Sequence, residues 1–195
     1  MSTSFIRKKK SGRLFKIVLL GDGGVGKTAL KERFLGKGFE SSYLMTIGAD
    51  FATYTAKVSN EDIKLQIWDL AGQTRFKEVR SGFYQGTLGA LLVYDVTRKE
   101  SAENLVNWVE EVKNFSGNEN MSFILVANKI DLRKETPESL TKRQGQTIAR
   151  NITKKVNGKK VHYVETSAKD NVNVPQAFLD LAQVILDGIP KQGKK

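Results

Sequence analysis

Residues 14–35 read LFKIVLLGDGGVGKTALKERFL and contain the strongest local pattern in the chain. The first seven of these residues form an apolar, partly β-branched run, which predicts a buried strand, and the last nine predict a helix that begins near Lys27. Between them lies GDGGVGKT, residues 21–28, which matches the pattern G-x-x-x-x-G-K-[ST] in the strand-to-helix setting that gives this pattern meaning.

This loop has the chemistry of a phosphate site. Glycines let successive backbone N–H groups surround a phosphate, the start of the helix adds unpaired donors, and Lys27 adds a full positive charge. Thr28 supplies a hydroxyl ligand for Mg²⁺. The predicted contacts in this loop are Gly23, Gly24, Val25, Gly26, Lys27, Thr28 and Ala29. The motif alone leaves both ATP and GTP open.

Around this loop, short apolar runs alternate with amphipathic segments. We predict strands at 14–20, 88–93, 123–127 and 161–164, and helices at 27–35, 101–115, 140–156 and 174–186. Residues 51–58 and 63–68 alternate in polarity around 59–62, which predicts an antiparallel hairpin at a sheet edge. Strands that alternate with helices favour a mostly parallel α/β sheet, whose ligands bind at the carboxyl ends of the strands.

Length and composition narrow the class of protein. The chain has 195 residues, of which 39% are hydrophobic, and this predicts one domain with a real core. We place a flexible basic arm at 1–12, the domain at 13–189 and a short basic tail at 190–195. The absence of cysteine excludes disulfides, thiolate metal sites and lipids attached through sulfur. No apolar run reaches the roughly 18–20 residues of a membrane span.

The charge balance bears on partners. Lys and Arg number 32 and Asp and Glu 21, a net charge of +11, which attracts anionic surfaces. The lysines at 154, 155, 159 and 160 have no interleaved aromatic residues, so we expect no specific nucleic-acid partner. We expect a cytoplasmic monomer, held at a membrane surface by weak electrostatic attraction at most.

Two further motifs predict that the base is guanine. Asn128-Lys129-Ile130-Asp131 follows the strand at 123–127, and Glu165-Thr166-Ser167-Ala168-Lys169 follows the next strand. The Asp131 carboxylate can accept two hydrogen bonds from guanine, whereas adenine would leave it unpaired at a large cost. Lys129 can cover the base, Asn128 can tie this loop to the phosphate loop, and small residues at Ser167 and Ala168 let backbone N–H groups reach the base, with Lys169 beside them.

The region of the hairpin supplies residues that sense a terminal phosphate. Asp69 ends an apolar strand and is predicted to hold Mg²⁺, together with Thr28 and the hydroxyl of Thr46. Gly72 lets its N–H approach the phosphate, and Gln73 can orient an attacking water. We therefore predict Gln73, Lys27 and Thr46 as the catalytic set. Phe39, which is equally compatible with a core position, and Tyr43 are the remaining predicted nucleotide contacts.

These residues together resemble the small Ras-like GTPases, and most of all the Rab branch. All five family elements occur in family order, at 21–28, Thr46, 69–73, 128–131 and 167–169, and the similarity covers residues 14–186. The resemblance implies a P-loop NTPase small G domain, with a six-stranded, mostly parallel sheet, one antiparallel edge hairpin and five flanking helices. It also implies a slow GTPase that switches between GTP and GDP with Mg²⁺, in trafficking or membrane-associated signalling.

The resemblance further implies protein partners. In Rabs an aromatic trio, here placed at Phe51, Trp68 and Tyr84, forms a surface for effectors between two switch loops, and activating and exchange proteins act on these loops. Gly23, Leu70 and Thr74 depart from the usual Ser, Thr and Glu, which puts the surface read by those proteins in doubt. Rabs end in prenylated cysteines, whereas this sequence ends in Lys194-Lys195, so we expect either function without a lipid anchor or a truncated chain.

Two other function classes remain open on the sequence. One is a pseudo-GTPase, an interaction module that binds nucleotide without turnover, which the presence of Gln73, Thr46 and Gly72 disfavours. The other is a P-loop ATPase or small-molecule kinase, which Asp131, Ser167 and Ala168 disfavour.

Overall fold

A computed structural model describes residues 12–39, 46, 48–73 and 76–190. It contains one six-stranded sheet in the order β2-β3-β1-β4-β5-β6, in which β2 and β3 pair antiparallel and all other neighbours pair parallel. The strands are β1 (Arg13–Leu20), β2 (Ala49–Val58), β3 (Glu61–Leu70), β4 (Gly89–Asp95), β5 (Ser122–Asn128) and β6 (His162–Glu165). The predicted fold class is confirmed.

Helices cover both faces of the sheet. They are α1 (Lys27–Phe34), α2 (Lys77–Ser81), α3 (Lys99–Glu103), α4 (Leu105–Ser116), α5 (Lys142–Lys155) and α6 (Val174–Asp187), with a 3₁₀ helix at Ile130–Lys134. The helix predicted at 101–115 is two helices, α3 and α4, separated only by Asn104, which keeps helical angles (φ −69°, ψ −12°). Short α2 and the 3₁₀ helix lack the apolar period that would have predicted them.

The two faces follow from the alternation of side chains along each strand. In β1, Ile17 and Leu19 belong to a buried cluster with residues of α1 and α6. Their neighbours Val18 and Leu20 belong to a second cluster with residues of α4 and α5. A strand buried on both faces must be apolar at nearly every position, which is the run that the sequence shows.

The edge hairpin differs from its predicted form in length. The turn consists of Ser59 and Asn60 alone, with φ of 47° and 65°, and the strands pair in register from Val58 and Glu61 outward. Two adjacent residues with positive φ make a turn whose twist matches that of the strands. Glu61 and Asp62 therefore belong to β3 and not to the turn, because pairing across the hairpin outweighs their low strand propensity.

Candidate functional site

A cavity of about 720 Å³ lies at the carboxyl ends of the parallel strands. Five separate segments meet there: the loop after β1 with the start of α1, the segment between α1 and β2, and the loops after β3, β5 and β6. The residues that line it are Gly23, Gly24, Gly26, Lys27, Thr28, Ala29, Glu32, Lys37, Gly38, Phe39, Thr46, Gly72, Gln73, Asn128, Lys129, Asp131, Leu132, Ala168 and Lys169. Because parallel strands bring their carboxyl ends to one edge, motifs distant in sequence converge on a single site.

The phosphate loop is held open by its glycine backbone and its lysine. Gly26 has φ 99°, and a Cβ there would overlap the side-chain amide of Asn128. Lys27 Nζ donates to the carbonyl oxygens of Gly21 at 2.6 Å and Asp22 at 2.9 Å. Burial lowers the pKa of Lys27 to about 8, so an arriving phosphate would favour the charged form of this lysine.

Three oxygen-bearing side chains gather beside Lys27. Thr28 Oγ1 donates to Asp69 Oδ2 at 2.5 Å and lies 3.0 Å from Thr46 Oγ1. Burial raises the pKa of Asp69, and its second oxygen, Oδ1, is buried without a hydrogen-bond partner among the described residues. An unpartnered buried carboxylate oxygen next to two hydroxyls suits Mg²⁺, which takes oxygen ligands and keeps waters and phosphate oxygens in its shell.

No described part of the chain gathers three or more His, Cys, Asp or Glu side chains into a metal-binding group. The Thr28, Thr46 and Asp69 set is the arrangement expected when the nucleotide itself supplies metal ligands. These residues would hold the ion against the phosphates.

A lysine that the sequence analysis passed over adjoins this set. The Lys31 side chain is only 1% exposed, and its Nζ forms an ion pair with Asp50 and lies 3.9 Å from Asp69 Oδ2. Burial alone would lower the pKa of Lys31, but the hydrogen bond to Asp50 and the neighbouring carboxylates outweigh burial and raise it. Lys31 is therefore charged.

The loop after β3 lies against the phosphate loop. A Cβ on Gly72 would overlap Lys27 Nζ and the backbone of Gly21 and Asp22, so glycine is required there. A Cβ on Gly23 would lie 3.6 Å from Gln73 Cγ, which places these two residues side by side. Arg80 Nη1 donates to the carbonyl of Gln73 at 2.7 Å, so α2 helps to hold this loop.

The other end of the cavity carries the predicted base-reading residues. Asn128 Nδ2 donates to the carbonyl of Val25 at 2.9 Å, which confirms the predicted tie between this loop and the phosphate loop. Ser167 Oγ donates to Asp131 Oδ1 at 2.6 Å and is itself fully buried. Asp131 is thus held by one oxygen in a fixed orientation at the cavity wall.

The Lys129 and Phe39 side chains complete this end of the cavity. Lys129 has φ 66°, and its Nζ forms an ion pair with Asp95 Oδ2 at 2.7 Å, which fixes the stem of the lysine along the cavity. Phe39 is 43% exposed and lines the cavity, so the alternative position in the core is wrong.

Most predicted contacts surround the cavity, but three do not line it. Val25 and Ser167 are fully buried behind it, and Asp69 is buried beneath Thr28. Tyr43 lies outside the described residues, as do Thr74 and the greater part of the predicted arm and tail. The cavity also includes residues that sequence reasoning missed, and these are Glu32, Lys37, Gly38 and Leu132. No motif marks them, since only tertiary packing brings them to the cavity.

The predicted aromatic trio needs a correction. Tyr84 is fully buried, and its hydroxyl donates to Glu111 at 2.7 Å, so its placement on an effector surface is wrong. Its neighbour Phe83 takes that place, because its ring lies 5.2 Å from Trp68, which lies 5.2 Å from the 54% exposed Phe51. Adjacent aromatic residues in a turn face opposite ways, and sequence alone does not say which one faces the core.

Comparisons with known proteins agree with this geometry. The Ras family model matches residues 16–187. The chain is 40% identical over 178 residues to Ras-related protein Rab-13 of Rattus norvegicus, which covers 91% of this chain and 83% of that protein. It is also 40% identical over 183 residues to Ras-related protein Rab-10 of Diplobatis ommata, which covers 94% and 86%.

A third relative, Ras-related protein RIC1 of Oryza sativa subsp. japonica, is 40% identical over 179 residues, which are 92% of this chain and 84% of that protein.

Within residues 12–39, 46, 48–73 and 76–190, no helix combines the length and apolarity needed to cross a membrane. The chain belongs to the Ras family of small GTPases, enzymes that hydrolyse GTP to GDP, and it is Rab-like within that family.

Proposed function

We propose that the cavity binds GTP and GDP with Mg²⁺, and that the chain acts as a slow GTPase switch in membrane trafficking. One observation supports this proposal above all: Lys27, Thr28, Thr46 and Asp131 line one cavity of about 720 Å³, and Asp69 lies buried behind it in hydrogen-bond contact with Thr28. The Lys27 cation would bind the phosphates, the metal-binding set would hold Mg²⁺, and the Asp131 carboxylate would bind guanine.

The choice of guanine rests on Asp131. One of its oxygens is held by Ser167 Oγ, so the carboxylate is oriented before the base arrives. Guanine N1–H and its exocyclic amine can donate to this carboxylate, whereas adenine offers no donor at the corresponding positions. A carboxylate left without donors in a closed pocket would lose its hydration without compensation.

Phosphate binding and hydrolysis belong to the other end of the cavity. The Lys27 ammonium would exchange its two carbonyl partners for phosphate oxygens, and the N–H groups of the loop would complete the phosphate site. Bound Mg²⁺ would neutralise the charge of the phosphate oxygens. Gln73, held through its carbonyl by Arg80, would orient the water that attacks the terminal phosphate.

Protein partners would read the outer surface of the hairpin. Phe51, Trp68 and Phe83 form a row of neighbouring aromatic rings, which effectors could bind. Activating and exchange proteins would act on the same loops. Attachment to a membrane would be weak and electrostatic, and the protein monomeric.

The test has two steps: the bound nucleotide is identified, and the residue that would bind the base is then substituted. Protein purified without added nucleotide is denatured, and the released nucleotide is separated by ion exchange. Stoichiometric GDP or GTP is expected, while adenine nucleotide alone would contradict the role of Asp131.

Asp131→Asn should weaken GDP binding by about a hundredfold and gain affinity for xanthosine diphosphate, whose C2 carbonyl suits an amide donor. Asp170→Asn is the matched control, because Asp170 is exposed in the neighbouring loop and should leave GDP affinity unchanged. Unchanged GDP affinity in Asp131→Asn would refute the base assignment.

A further inference from the structure

One face of α1 carries three polar side chains toward Asp69. Lys27, Thr28 and Lys31 follow at helical spacing, and all three lie near this carboxylate. The first two are explained by the phosphate and the metal. Lys31, which is 1% exposed, has no part in the function proposed so far.

The packing of α1 does not require a lysine at this place. Leu30 and Phe34 provide the apolar contacts of this helix with the core. A buried ammonium must be compensated by partners, whereas an apolar side chain of similar length would fill the same space without that cost. The charge of Lys31 therefore calls for an explanation in terms of its neighbours.

Those neighbours are two opposed carboxylates. Asp50 of β2 and Asp69 of β3 stand directly across from each other in the antiparallel register, so their side chains share one face of the hairpin. Like charges so placed repel each other, and Lys31 Nζ contacts the first and lies 3.9 Å from the second. Glu32 lies 3.3 Å from the same ammonium. Lys31 thus occupies the position of a cation between carboxylates.

We propose that Lys31 competes with Mg²⁺ for the negative charge of Asp69 and thereby weakens the retention of Mg²⁺ and of nucleotide. This inference rests on the proposed function, since it presumes that Asp69 helps to hold the ion. Asp50 moderates the competition, because it offers Lys31 a second carboxylate.

The experiment measures how Mg²⁺ slows the release of a fluorescent GDP derivative. The readout is the free Mg²⁺ concentration that gives half of the maximal retardation, in the wild type and in two single variants. Lys31→Met removes the charge and keeps an unbranched stem of similar length. Asp50→Asn keeps the lysine and removes its closest partner.

The two variants are expected to shift in opposite directions. Lys31→Met should lower the half-maximal Mg²⁺ concentration by about tenfold, because a unit charge is removed from a poorly screened site. Asp50→Asn should raise the half-maximal Mg²⁺ concentration by roughly threefold or more. This effect is smaller than that of Lys31→Met, because the Asp50 side chain is 62% exposed and its charge is better screened. The double variant should stay close to Lys31→Met, because Asp50 acts through Lys31 and has no effect on Asp69 once the ammonium is removed.

The control is Lys57→Met, which removes an exposed lysine from the far end of β2 and should leave the Mg²⁺ dependence unchanged. A shift of both single variants in one direction, or no shift in either, would overturn the competition and leave Lys31 as a structural counter-ion. If the wild type releases the GDP derivative at a rate that does not depend on Mg²⁺, the metal site of the proposed function is refuted, and this inference with it.

Discussion

Gln73 lies where the loop after β3 touches the phosphate loop, beside Gly23 and held through its carbonyl by Arg80. This placement suits a side chain that orients water at a terminal phosphate. Gln73→Leu should keep the affinity for GTP and slow single-turnover hydrolysis by about ten- to a hundredfold, because a misplaced nucleophile costs that much. The measurement is phosphate release from protein loaded with one equivalent of GTP.

The matched control for Gln73→Leu is Gln85→Leu. Gln85 is exposed and lies outside the cavity, so the same substitution there should leave the hydrolysis rate unchanged. Equal single-turnover rates for Gln73→Leu and the wild type would contradict the role of Gln73.

Among the secondary-structure elements, short α2 depends on α4. Arg80 of α2 forms a buried two-bond ion pair with Glu111 of α4, at 2.6 and 2.8 Å, and its guanidinium lies 4.3 Å from the ring centre of Trp108. Tyr84 donates to the same carboxylate. This network joins the loop that carries Gln73 to a long helix on the second face of the sheet.

Glu111→Gln should therefore lower the free energy of unfolding by about 3 kcal/mol, since it leaves a buried guanidinium unpaired. Because Arg80 also holds the carbonyl of Gln73, hydrolysis should slow while GDP affinity stays the same. Glu110→Gln is the control: Glu110 is exposed, pairs with Lys155 at 3.5 Å, and should change stability by less than about 1 kcal/mol in denaturant titrations. Equal stability of the two variants would show that the buried pair does not hold α2.

For the whole molecule, the site is a junction of segments from the entire chain. The loops after β1, β3, β5 and β6 and the segment between α1 and β2 meet at the cavity, and hydrogen bonds such as that from Asn128 to Val25 join some of them. A ligand that contacts all five segments binds only the folded chain and so stabilises the whole domain.

Removal of nucleotide and metal with a chelator should lower the Tm by about 10 °C. Ligand at about a thousand times its Kd contributes about 4 kcal/mol, and each kcal/mol shifts the Tm of a domain of this size by roughly 2–4 °C. Differential scanning fluorimetry with GDP and Mg²⁺ added back should restore the original Tm. ADP with Mg²⁺ is the control and should not, and full recovery with ADP would contradict a guanine-selective cavity.

Local chemistry explains why much of this could be predicted from the sequence. The glycine pattern at 21–28, the alternation of strands and helices, and the side chains of Asn128 and Asp131 are properties of neighbouring residues, so they are visible before folding. Element boundaries also depend on contacts between strands. The pairing of β2 with β3 carried both strands past their predicted ends, which no local pattern records.

From the amino-acid sequence alone it follows that a phosphate loop, two base-reading motifs and the residues for a metal occur in an order that a parallel sheet brings to one edge. Tertiary packing alone buries Tyr84 while Phe83 stays partly exposed, pairs Arg80 with Glu111, and places Lys31 between Asp50 and Asp69. The physical reason is distance along the chain. These contacts join residues far apart in the sequence or depend on which of two neighbours packs inward, and both are settled by burial and pairing across the whole domain.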